Sequence, residues 1–337
     1  MKLIKVFLFA LVIQLCIGIT SQPAVAASIQ LQVDTLPDEL QQVMVMASEG
    51  QLKEAEDELK SLRSTFGHTA DYYFIKGSLA PFKLAEASVV RAPFIARRMR
   101  KDWEKAVEID PNHELASFSL ALFYGAAPGI VGGDTEKAAA ILAHLQGLDS
   151  PWQYPLKANL AFAQEASLDE VKAAHLEWIE FAPKEISPRF NLATFLINKE
   201  DYEAGAMQLA QLDELLQTLR AHAELEAEPE PEQNAEQDAE QNTNEEVASN
   251  QLKVDYQWGK LAAESGTHLE LGKERLQALI SNEQLPEGIG MGFVHARLAQ
   301  VFQHIGEPAL VAEHRSAAEL LASGDTNLTG LIKKLDG

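Results

Sequence analysis

Small and apolar residues recur along the chain on a fixed ruler, a small position followed by steps of four and three. Ala55, Leu59 and Leu62 fit it, as do Ala138, Leu142 and Leu145, then Gly205, Leu209 and Leu212, then Gly272, Leu276 and Leu279. Val171, His175 and Trp178, and Val311, Arg315 and Ala318, fit it more loosely. Steps of four and three return to one side of a 3.6-residue turn, so each trio predicts an amphipathic helix. Five residues before most of the small positions stands a turn residue: Gly50, Gly133 and Gly306, with Glu200 in that place before Gly205 and Gly266 one residue further off before Gly272. Glycine there can take positive φ and end a preceding helix. Seven residues before the turn lies another apolar pair, as in Leu192-Ala193, Trp258-Gly259 and Leu298-Ala299. The predicted unit is helix, tight turn, helix.

The small positions 138, 171 and 205 are separated by 33 and 34 residues. A helix-turn-helix unit of that length resembles the tetratricopeptide repeat (TPR). Trp103, Ala106, Asp110 and Pro111 look like the end of one such repeat, where proline stops the second helix. Tyr202 in D-Y-E-A-G and Gly50 to Ala55 in G-Q-L-K-E-A look like the turn and second-helix start of others. The resemblance implies an all-α solenoid of about seven TPR-like units over residues 37–335. Two units depart from the ruler. Gly77 and Trp103 are 26 apart where about 16 fit the repeat, so the second unit carries some ten extra residues, with Arg91, Arg97, Arg98, Arg100 and Lys101 among them. The third has five extra residues between Ala121 and Gly133; its A-P-G-I-V-G-G-D turn resembles that of exported bacterial TPR proteins with a P-x-I-x-G-G-D motif.

Between Gly205 and Gly272 lie 67 residues, one repeat and 33 more. The excess shows as an acidic, low-complexity insert at residues 223–250, where Glu224 to Asn250 hold ten acidic residues and no basic one. Such composition offers little apolar surface against an ordering cost of about 1 to 2 kcal/mol per residue, which predicts a solvated, disordered loop. It would divide the repeats into blocks at residues 37–222 and 251–335, the helix of Leu212 to Leu219 running a little way into it.

Residues 1–26 have the three parts of a secretory signal: Lys2 and Lys5, an apolar core from Val6 to Ile19, and the small-residue site Ala24-Val25-Ala26. The 14-residue core falls short of the roughly 20 needed to span a bilayer, so a cleaved leader and a periplasmic or secreted product starting near Ala27 are expected, with no transmembrane segment left. Cys16, the one cysteine, would leave with the leader, which excludes a disulfide framework and a thiol nucleophile. With 28 basic and 50 acidic residues the chain carries −22, and loss of the two lysines takes it to −24. That balance repels nucleic acid and anionic lipid unless a basic patch is concentrated locally. The one concentration, Arg91 to Lys105, predicts either a docking site for an acidic partner or a helix face balanced by neighbouring acids.

No catalytic, cofactor or metal motif emerges. The nine histidines are scattered with no H-E-x-x-H; His295 and His304 share a helical side without a third ligand nearby. No G-x-S-x-G occurs. Gly288, Gly290 and Gly292 lack a preceding strand and a following G-K-[ST], so an inter-repeat loop is expected. Asp134 is expected to cap the helix after the expanded turn.

A TPR-like stack implies a non-enzymatic scaffold that holds a protein or peptide, without cofactor, in a concave groove. By the resemblance, the groove is lined from first helices by Phe118 with Leu122, Phe190 with Thr194, Tyr256 with Lys260, and Ala296 with Gln300, each pair one helical turn apart. The competing expectation is core packing for Phe118 and Phe190. The rival function is an envelope enzyme or small-ligand carrier with a pocket at residues 129–134 or at the Gly288–Gly292 loop.

Overall fold

The computed structural model describes residues 36–226, 234–286 and 288–336. The expected signal segment and its cleavage site lie outside them. Among the described residues every regular element is helical, and no helix is long and apolar enough to cross a membrane. The chain divides into two compact units, Met1–Glu185 and Ile186–Gly337.

In the first unit, α1 (Asp38–Ser48) pairs with α2 (Leu52–Ser61), and a short α3 (Arg63–Phe66) leads to α4 (Ala70–Ser78). Helix α4 packs on α6 (Ala92–Ile109), with the seven-residue α5 (Ala80–Glu86) between them. The extra residues of this repeat are therefore an added helix and elbow. Helix α7 (Glu114–Ala126) pairs with α8 (Thr135–Gly147), and α9 (Gln153–Ala163) with α10 (Leu168–Phe181). Most ruler residues land where a helix pair closes: Ala55, Leu59, Ala138, Leu145, Val171 and Trp178 are buried, and Leu62 and Leu142 are half-buried beside them.

Local signals fix the helix starts. Asp134 accepts from the Lys137 amide at 3.1 Å, the expected cap of α8. Ser167 and Glu170 form a reciprocal capping box on α10. Hydrogen bonding to Ser167 holds the Glu170 carboxyl below its usual range.

In the second unit, α11 (Ile186–Asn198) packs on α12 (Tyr202–Glu226), α13 (Asn234–Ser265) on α14 (Leu269–Ser281), and α15 (Met291–Ile305) on α16 (Pro308–Leu321); α17 (Thr326–Lys333) follows. Helix α12 extends into the acidic tract from one side and α13 enters from the other. The segment from Asn234 to Asn250, expected as loop, is thus helical, and residues 227–233 lie outside the described set. The reason is tertiary: Val247 is buried in the same apolar cluster as Leu212 and Leu216, so the end of the tract has a surface to fold against. The boundary between compact units falls at Glu185/Ile186, while α12 and α13, flanking the tract, pack on each other.

A polar network ties three of these helices. Trp258 donates to Asp213 at 2.8 Å, and Arg275 pairs with Asp255 at 2.6 Å and with Asp213 at 3.4 Å. Burial raises the Asp255 carboxyl above its usual range, opposed by its bonds to Gln251 and Arg275.

Positive φ occurs at the turn positions Gly50, Gly266, Gly306 and Glu200. The expanded turn differs: Gly132 is left-handed at φ 103°, and Gly133 is needed for space, since a Cβ there would stand 1.7 Å from the Ala127 carbonyl oxygen.

Candidate functional site

The eight residues expected in a groove separate by burial. In the first unit, the half-buried Phe118 ring sits 4.9 Å from Trp152, just before the next helix pair, and Leu122 is buried. In the second, Tyr256 is buried in a cluster with Leu276 and Leu298, and Ala296 is buried against Ala318, Leu328 and Leu331. Leu122, Tyr256 and Ala296 are packing residues, each buried within an apolar cluster. Phe190, Thr194, Lys260 and Gln300 are half-buried. Phe190 packs along one side against the apolar cluster of Ile186, Leu209 and Trp258. The Thr194 hydroxyl is buried without a hydrogen-bond partner among the described residues.

Two of those four residues meet around an arginine that the ruler did not pick out. Lys260 on α13 donates to Asn198 at the end of α11. Arg297 on α15 pairs with Glu264 at 2.8 Å and donates to Gln300 at 3.0 Å. Tyr256, Lys260 and Glu264 are spaced by four on α13 and share its face. Arg297 is only 8% exposed, and its Nε is buried without an acceptor. Burial pushes the Lys260 amine down, with Glu264 opposing and Arg297 and Lys334 adding to the shift. Burial pushes the Tyr256 phenol up, against the pull of Arg297. The cluster thus brings Lys260, Arg297 and Lys334 near the Glu264 carboxylate in a chain of strongly negative charge. Its N–H groups can donate to a carboxylate or a backbone carbonyl. The sequence did carry one sign of it: Arg297 interrupts the apolar run G-F-V-H-A-R-L-A.

Of the two places expected for a small-ligand pocket, the expanded turn has an arginine packed over Gly132, while space is open beside Gly288 and Gly290 at the other. At the expanded turn the Arg100 guanidinium lies over Gly132, within 2.7 Å of where a Cβ would be. Arg97 donates to the Ile130 carbonyl at 2.7 Å. Arg100 pairs with Glu104 at 3.1 Å, and Glu104 accepts from the Tyr124 hydroxyl at 2.6 Å. Burial pushes that phenol well up. At the second place, Gly290 starts α15 and Gly292 packs against Leu328 and Leu321.

The basic cluster is resolved into separate roles. Arg100 braces the turn, and Lys105 pairs with Glu108 at 2.9 Å. Arg91, Arg97, Arg98 and Lys101 are exposed. A cleft of about 600 Å³ beside the elbow is lined by Leu52, Lys83, Ala87, Ser88, Arg91 and Ile95.

The histidines fall apart as a pair. His304 bonds the Ala263 carbonyl at 3.1 Å, whereas His295 meets His314, Nδ1 to Nδ1, at 2.9 Å. Among the described residues, no group of three or more His, Cys, Asp and Glu is arranged to hold a metal ion.

No known protein-family profile matches the sequence, and no curated protein is similar to it. The fold is similar to a chain in the crystal structure of the APC/C hetero-tetramer Cut9–Hcn1, with a TM-score of 0.53 at 13% identity over 91% of this chain and 51% of that one. This chain therefore spans about half the length of the one it matches. At that identity the likeness shows the fold alone: an all-α stack of TPR-like helix pairs.

Proposed function

We propose that this protein is an exported scaffold that holds a peptide or protein segment along the exposed side of α11, α13 and α15. A TPR-like fold supports an interaction role, since stacked helix pairs present long surfaces. The similar chain comes from a hetero-tetramer, Cut9–Hcn1, in keeping with that use. Export rests on the signal-like first 26 residues.

The observation that carries the reading is the Lys260–Arg297 cluster. Arg297 is almost fully buried with an Nε lacking an acceptor, next to a desolvated lysine amine. Leaving a charged donor buried and unmatched costs about 1 to 3 kcal/mol or more. An acidic side chain or a carboxylate terminus of a bound peptide would be drawn by this positive charge to the half-buried Lys260 amine, and Phe190 would offer an apolar contact nearby on the same unit.

Selection from a displayed peptide library against the chain from Ala27 onward tests this. Enriched peptides should carry a carboxylate whose neutralisation weakens binding, and Arg297→Gln should remove the enrichment. Enrichment indifferent to both changes would place the binding surface elsewhere.

A further inference from the structure

The elbow between α5 and α6 has a composition that solvent does not explain. Ser88 to Arg91 form a tight turn, closed by the Arg91 and Ala92 amides donating to the Ser88 carbonyl, each at 3.0 Å. Its two central residues are Val89 and Val90. Turn corners favour glycine, proline, asparagine, aspartate and serine, and branched aliphatic residues there have no conformational rationale. Nor do they have a packing one: Val90 is 75% exposed and Phe94, one helical turn on, is 67% exposed. The segment lies outside the repeat ruler, so the helix pairs do not require it.

Charge singles out the same place. From Ala87 to Lys101 there are four arginines, one lysine and no acid, in a chain with 50 acidic residues. Phe94, Arg97, Arg98 and Lys101 stand at steps of three, four and seven, which gives one exposed stripe along α6. Their opposite face, Ala96, Met99 and Trp103, is buried. Among the described side chains, Arg91, Arg98 and Lys101 meet no acid within ion-pair distance, in contrast to Lys105. Arg97 is tied to the Ile130 carbonyl, which brings a second apolar tip to the stripe, Ile130 being 76% exposed.

We propose that this elbow docks the protein on an anionic lipid bilayer, with Val89, Val90, Phe94 and Ile130 entering the headgroup boundary and Arg97, Arg98 and Lys101 meeting lipid phosphates. An acidic polypeptide would account for the arginines but not for apolar side chains projecting from two turn tips. An interfacial lipid layer takes both at once, since it offers negative charge over an apolar interior. The chain as a whole is repelled by such a surface, so contact is confined to this patch and orients the molecule on it.

Vesicle cosedimentation tests the proposal, using the chain from Ala27 onward, which keeps every described residue and removes the apolar leader. Binding is expected to phosphatidylcholine vesicles containing phosphatidylglycerol and not to phosphatidylcholine alone, and to weaken with salt. Arg97→Gln, Arg98→Gln and Lys101→Gln should each lower the partition about fivefold. Phe94→Ser and Val90→Ser should each lower it too, on the order of tenfold for Phe94. All these side chains are exposed, and unchanged circular dichroism and melting would show that the fold is kept. Equal binding to neutral vesicles, no binding to anionic ones, or binding unchanged in these variants would overturn the proposal. So would tighter retention of soluble polyglutamate that depends on the arginines but not on Val90 or Phe94, which would identify an acidic polypeptide as the occupant.

Discussion

Gly77 on α4 lies flat against the indole of Trp103 on α6, so close that a Cβ at Gly77 would stand 2.5 Å from a ring carbon. The indole N–H is held by the Ser78 hydroxyl at 3.3 Å, and Trp103 is buried. The added helix α5 and the elbow are looped out between these two residues, and the repeat contact is retained across them.

Gly77→Ala should therefore destabilise the first unit by about 1 to 3 kcal/mol, since a buried ring bounded on all sides cannot yield to an added methyl. Denaturant unfolding would measure it, with unchanged stability as the outcome that contradicts this packing.

Glu200 holds the left-handed turn between α11 and α12 at φ 64°, where three other repeats have Gly50, Gly266 and Gly306. A side chain in that region costs about 1 to 2 kcal/mol. Part of it is offset by the greater freedom of glycine in the unfolded chain, so Glu200→Gly should stabilise by up to about 1 kcal/mol. A rise in melting midpoint is expected, and a fall would mean that the carboxylate has a role of its own.

The buried end of the acidic tract can be tested in the same way. Val247→Ala removes two methyl groups from the cluster of Leu212 and Leu216 and should cost about 1 to 3 kcal/mol. If the melting midpoint does not move, the tract contributes nothing to the fold up to Asn250.

Stability should fall on acidification below neutrality. Burial pushes the imidazoles of His175, His295 and His314 down, and for His314 the neighbouring His295 adds to the effect while Glu313 opposes it. In the unfolded chain each protonates near its ordinary pKa of about 6.5, whereas the folded form resists until lower pH. The unfolded state thus binds more protons across that window, so the stabilisation is complete above about pH 6.5 and is lost as pH falls toward the folded values. His314→Phe should flatten the part of this slope due to the pair, read as unfolding free energy against pH. A slope of unchanged steepness would assign the effect elsewhere.

Much of this architecture is legible in the sequence because helix pairing imposes a short, local period. Ala55, Ala138, Gly205 and Gly272 are small where two helices approach closely, and that need is written within one repeat. Departures were legible only as counts: the surplus before Trp103 became α5 and an elbow, whose exposure no spacing rule predicts. The acidic tract misled for a related reason. Its composition is polar, but Val247 meets an apolar surface that the end of the tract folds against. Counting along first helices could not distinguish a half-open Phe190 from a buried Tyr256, since that depends on the neighbouring pair. Arg297 was missed because the ruler tracks apolar positions.

The burial of Tyr256 also decides which substitutions can report on binding. Tyr256→Ala would disturb the core, whereas Lys260, Gln300 and Phe190 are half-open. The most direct measurement is site-specific photocrosslinking in intact cells, with the reactive group placed at Gln300 or Phe190 on the proposed binding side, or at Glu203 or Glu274 on second helices of the same unit. Specific adducts of one protein or peptide should form from Gln300 and Phe190, disappear with Arg297→Gln, and be absent from Glu203 and Glu274. Adducts confined to the second-helix positions, or unaffected by Arg297→Gln, would contradict a peptide-holding role for the face of α11, α13 and α15.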